Sequence, residues 1–192
     1  MRMLATIGAA VTALVFNVVA FAADLSPLTT ADIQKFIATA PEAEALFNDL
    51  EDNGFNPDWE GQMMPKSGED FRPFGKTTEL LKTERPSDYA SLTGIVKPKG
   101  FDDTPHWARI GDASILAYIA IKMEREDPQA LAMASQLTPE MMAMIPPAQQ
   151  AQLQGAMAII EAIQGVPAAD KAAMEPVYED FENAFEGFDS SN

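Results

Sequence analysis

The sequence predicts an all-α fold, an irregular bundle of short helices around one long central helix at about 105–126, and three observations carry that expectation. No alternating apolar and polar run longer than a few residues occurs, so strands have no signal. Apolar residues recur at spacings of three and four, and prolines and glycines stand where helices start and stop. The 192 residues suit one domain, and 47% hydrophobic against 22% charged residues is the balance of a chain that buries a core.

Residues 1–22 read as a secretory signal peptide. Arg2 supplies the positive start, Leu4 to Val19 the apolar run, and Ala20-Phe21-Ala22 the small-x-small cleavage motif. An uncleaved anchor is the alternative, but Asn17 interrupts the apolar run. Cleavage leaves 23–192 as a single all-α domain with no transmembrane segment, in the periplasm or secreted. Absence of cysteine suits such an oxidising place.

Thr30 is placed to cap a first helix with Ile33, Phe36 and Ile37 on one stripe. Pro41 opens a second, carrying Ala43, Leu46, Phe47 and Leu50, and Gly54 ends it in a left-handed conformation. From about 55 to 76 the periodicity dissolves among prolines and glycines, and Phe55, Trp59, Phe71 and Phe74 predict a long loop pinned by aromatic side chains. Thr78 to Glu84 and Ser87 to Val96 are short helices, the second capped by Ser87. After a turn at Pro98-Lys99-Gly100, Thr104-Pro105 starts the longest helix, whose middle at Ala113 to Ile121 is apolar nearly all round and therefore central. Pro128, Thr138-Pro139 and Pro146-Pro147 start later helices, the last ending at Gly165. Pro176 kinks or splits a final segment striped by Val177, Phe181, Ala184, Phe185 and Phe188.

Thirteen basic and 29 acidic residues give a net charge of -16, which opposes the counterion release that drives nucleic-acid binding. Zero cysteines exclude thiolate metal sites and Cys nucleophiles, and a single histidine excludes multi-His zinc centres. Charge is uneven: nine acids and one base over 24–60, nine and ten over 66–125, eleven and one over 126–192. The acids solvate polar helix faces, or they steer a basic partner.

Three constellations can carry chemistry. Asp49, Glu51, Asn53 and Glu60 occupy positions 1, 3, 5 and 12 of a calcium loop with Gly54 at 6, although Asn56 and Pro57 depart from the pattern. The preferred reading of the same residues is a helix that ends at Gly54 followed by an acidic loop. Met141, Met142 and Met144 offer thioethers to Cu(I) or an adaptable binding surface, but methionine also fills helical cores. His106, Trp107, Arg109 and Asp112 form the densest polar and aromatic cluster of the long helix, with Arg109 and Asp112 spaced to pair. His106 there is a general base or part of the helix cap, and no recognisable nucleophile motif stands beside it. Gly111 within that helix signals close contact with another helix or with the aromatic segment.

Leu28-Thr29 and Leu137-Thr138 resemble the Leu-Thr-x-x-Gln caps of periplasmic stress chaperones over about ten residues, with Asp32 and Met141 in place of the glutamines. The expectation is an exported, non-catalytic helical protein, adaptor or chaperone-like, that binds other polypeptides such as another envelope protein and needs no cofactor. A calcium- or copper-binding protein and an unrecognised hydrolase are the alternative classes.

Overall fold

The structure is a computed structural model that describes residues 27–63, 69–134 and 157–185. Residues 1–22, the Met141, Met142 and Met144 cluster and Phe188 lie outside the described residues. Among the described residues all regular structure is helical. The helices are α1 (Thr30–Ile37), α2 (Ala40–Asp52), α3 (Trp59–Met63), α4 (Pro73–Glu84), α5 (Pro86–Val96), α6 (Thr104–Glu126), α7 (Pro128–Ala134), α8 (157–164), α9 (Ala168–Met174) and α10 (Tyr178–Phe185). Short 3₁₀ turns follow α5 at Lys97–Lys99 and join α9 to α10 at Glu175–Val177.

Several helix starts fall before the residues expected to cap them. Thr29, in extended backbone, caps α1 by accepting the Asp32 N–H at 3.2 Å, and Thr30 enters the first turn. The Thr30 hydroxyl instead donates to the Ala173 carbonyl at 2.8 Å, tying α1 to α9. Asp103 rather than Thr104 caps α6, its carboxylate accepting the His106 N–H at 2.8 Å. Thr104 is buried and shares a 2.7 Å hydrogen bond with Thr93 on α5. Pro86 and not Ser87 opens α5.

The segment 55–76 is less of a loop than its composition predicts. Residues 59–63 form α3, and α4 begins at Pro73, because proline is preset for the first helical position. Aromatic pinning holds at Phe55, Phe71 and Phe74, all buried. Gly54 (φ 82°) ends α2 as expected: Phe55 N–H reaches the Leu50 carbonyl at 2.8 Å, Gly54 N–H reaches Glu51 at 2.9 Å, and the Leu50 and Phe55 side chains are both buried. Pro176 splits the last segment as expected, turning α9 into α10 through the 3₁₀ turn.

Helix α6 is central. It packs against α1, α4, α5 and α9, and its buried residues cover most of its circumference. Phe36 of α1, Phe74 of α4, Trp107 of α6 and Phe181 and Phe185 of α10 meet in one aromatic cluster; Phe36 lies 5.2 Å from both Phe74 and Trp107 and stacks on Phe185 at 5.5 Å. Gly111 makes this junction possible, since a Cβ there would stand 2.6 Å from Phe36 and 2.9 Å from Phe74. No described helix is long and apolar enough to cross a membrane.

Candidate functional site

The polar residues of α6 hold the fold together. Asp112 is only 8% exposed, and its carboxylate accepts the Phe74 N–H at 2.7 Å and the Gly75 N–H at 3.1 Å. Those are the N–H groups of the second and third residues of α4, whose first, Pro73, has none, and they are the donors a helix cap normally satisfies. Arg72, the residue before α4, provides no side-chain cap, so Asp112 caps α4 from a different helix. Burial pushes its carboxyl up to about 7, outweighing the two backbone bonds and the Arg72 charge that pull it down. The expected Arg109–Asp112 pair does not form, because the carboxylate faces α4.

Trp107 is buried, and its Nε1–H donates to the Thr39 hydroxyl at 2.8 Å, which itself donates to the Phe36 carbonyl at 2.6 Å. His106 is half-buried in the first turn of α6, against the Phe101 ring at 5.6 Å. Its Nδ1 lies 3.4 Å from the Asp102 N–H and 3.2 Å from Asp102 Oδ2. A neutral ring accepts from the first, and a protonated ring donates to the second. Neither contact is to a hydroxyl that an imidazole base could activate.

Asp49 and Glu51, two of the proposed calcium ligands, are not drawn together. Asp49 and Glu51 lie within the last turns of α2, about 200° apart around the helix axis, and Asn53 ends the helix with its amide on the Asp49 carbonyl at 2.7 Å. Glu60 belongs to α3. Among the described residues no group of three His, Asp or Glu side chains is placed to hold a metal ion.

A different place gathers unspent polar groups. The carboxyl-terminal end of α6 meets the turn between α9 and α10, leaving a cleft of about 300 Å³ lined by Arg125, Glu175, Pro176, Tyr178, Glu179 and Asp180. Its back wall is tightly built. Arg125 lies over the Tyr178 ring at 4.4 Å and pairs with Glu175, and Tyr118 packs on Tyr178 at 5.0 Å. The Tyr118 hydroxyl donates to Glu182 at 2.8 Å, and Lys122 donates to that hydroxyl at 3.3 Å. Burial and the Glu182 bond push the Tyr118 phenol above its ordinary value, keeping it a donor. Glu179 and Asp180 are exposed and form no ion pair within the described residues.

Comparison with protein-family models, with curated proteins and with solved structures found no match.

Sequence reasoning passed over these residues. Its local signal was the run from Glu175 to Asp180, three acids and a tyrosine around Pro176, within the stretch that carries eleven acids and one base. The missing part was Arg125, fifty residues from Glu175, which only the packing of α6 brings to Tyr178.

Proposed function

We propose that this is an exported, non-catalytic helical protein, periplasmic or secreted, that binds other polypeptides of net positive charge as an adaptor or chaperone-like partner. The observation that carries this reading is the exposed carboxylate surplus on α10, where Glu179 and Asp180 border the cleft without basic partners among the described residues. Such a surplus attracts a cationic chain and repels an anionic one. The use of His106, Trp107 and Asp112 in caps and packing supports a binding role over a hydrolytic one, since each already has its partner within the fold.

The test is calorimetry with unfolded peptides of equal length and differing charge, at about 20 and about 200 mM salt, where screening length differs severalfold. Basic peptides are expected to bind, neutral and acidic ones not, and affinity to fall at the higher salt. Equal binding by an unrelated acidic helical protein of the same net charge would overturn the proposal.

A further inference from the structure

We propose that the cleft between the end of α6 and the turn preceding α10 is a guanidinium subsite, built to take an arginine side chain of the bound polypeptide in preference to a lysine. This deepens the reading of a basic polypeptide partner and rests on it. Tyr178 is 92% buried, yet its hydroxyl makes no hydrogen bond within the described residues. Among those residues, the one side-chain polar atom both sealed from solvent and unpartnered is Ser114 Oγ, so the Tyr178 hydroxyl is not enclosed, and the residue lines the cleft. A phenol hydroxyl at a cleft wall that makes no bond to the described residues can accept from a donor that enters the cleft.

The groups around it define that donor. The Tyr178 ring already carries the Arg125 guanidinium over it at 4.4 Å and the Tyr118 ring against it at 5.0 Å, so its π-face is committed within the fold. What remains is the hydroxyl and the carboxylates of Glu179 and Asp180. Together they present acceptors at several points of one small cleft. A guanidinium carries five N–H donors in a rigid plane and can meet a carboxylate with two of them and the phenol oxygen with another. An ammonium is a compact point charge that gains from the carboxylates but has less use for the fixed phenol. Arg125, seated between Tyr178 and Glu175, shows that this wall accommodates a guanidinium. The cleft volume of about 300 Å³ leaves room for one side chain rather than a folded surface.

The experiment compares two capped peptides of alternating glycine with arginine or with lysine, equal in length and charge, titrated into the full chain and into Tyr178→Phe. Removing only the hydroxyl keeps the ring, its stack and the Arg125 contact, and circular dichroism with a thermal melt establishes that the variant folds like the wild type. The arginine peptide is expected to bind about tenfold more tightly than the lysine peptide, matching one good charge-assisted hydrogen bond. Tyr178→Phe should lower arginine binding to the lysine level and so erase that preference, and Glu179→Gln with Asp180→Asn should weaken both peptides. Equal affinity for the two peptides, or an arginine preference that survives Tyr178→Phe, overturns the subsite and leaves the basic-polypeptide reading standing. Failure of both peptides to bind overturns that reading and the subsite with it. Should Tyr178→Phe melt well below the wild type, the same comparison with the double carboxylate variant decides, since unchanged binding there removes the cleft from consideration.

Discussion

At the scale of single residues, the informative positions are those where a side chain is missing or stands where water would be cheaper. Gly54 and Gly111 are glycines for different reasons: the first needs its positive φ and has open space around it, whereas the second has ordinary helical backbone and no space. Replacing Gly111 by alanine gains about 1 kcal/mol of helix propensity. It also drives a methyl into two rings from separate helices, at an overpacking cost of about 1–3 kcal/mol. The rings are locked by their own neighbours, which puts the cost in the upper part of that range, so Gly111→Ala should lower the melting temperature by about 2–8 °C. A variant melting at or above the wild type would show that Phe36 and Phe74 yield freely. Asp112 makes a prediction in pH. Its carboxyl is raised from 3.8 to about 7 in the folded protein, so the folded state holds a proton that the unfolded state releases. The stabilisation this gives is complete below about pH 4 and is lost as pH rises towards 7, about 4 kcal/mol in all. Asp112→Asn keeps an oxygen for the Phe74 N–H and cannot ionise. The melting temperature of Asp112→Asn relative to the wild type should therefore climb between pH 4 and 7 and level off above. A difference that stays flat across that range would show that Asp112 is ionised throughout.

At the scale of elements, α6 organises the rest. Ile115 lies midway along it and is 5% exposed, facing the packed interior. An unpaired carboxylate there costs several kcal/mol of a total stability of about 5–15, so Ile115→Asp should unfold the protein. A melt within a few degrees of the wild type would show that α6 is not the structural centre. This helix was the most legible part of the sequence, because a long apolar run with a proline start has one interpretation. The starts of α1, α2 and α5 were legible to within a few residues and no better. Thr30 and Thr104 looked like caps and instead spend their hydroxyls on Ala173 and Thr93, contacts that no local pattern encodes. The start of α4 was missed for the same reason in reverse. Nothing next to Pro73 caps it, and its cap, Asp112, comes from 38 residues away on another helix. The cluster at 106–112 was legible as a cluster, but its role was not, since a histidine, a tryptophan and an aspartate can serve catalysis or packing with equal local sequence. The cleft was half legible. Its acids and tyrosine are contiguous, and its arginine comes from a distant helix.

At the scale of the whole molecule, a charge of -16 must be accommodated on a surface where, among the described residues, more than half of the bases are already paired. Lys35, Arg72, Lys76, Lys99, Lys122, Arg125 and Lys171 each pair with a carboxylate. These are mostly exposed pairs worth about 0–1 kcal/mol each, so their effect is to leave a field of unmatched acids rather than to hold the fold. Self-repulsion of that field destabilises the compact state, and any divalent cation that screens it should raise the melting temperature. The helix end at Asp49 to Gly54 sharpens what calcium in particular should do. A calcium loop needs its ligands at positions 1, 3 and 5 to converge, yet Asp49 and Glu51 are on the body of α2 and diverge around its axis. Calcium then acts as a counterion, magnesium at the same concentration does as well, and Glu60→Ala changes little. A bound ion would behave differently, adding RT ln(1 + [L]/Kd), about 2.7 kcal/mol at a hundredfold excess over Kd, for calcium alone. Melts in calcium, in magnesium and in sodium chloride matched for ionic strength separate the two. Equal shifts for the two divalent ions in the wild type and in Glu60→Ala are the expected result. A rise specific to calcium that Glu60→Ala abolishes would mean that α2 unwinds its last turn to form a site, and that the acidic amino-terminal end is a metal centre rather than a solvated helix end.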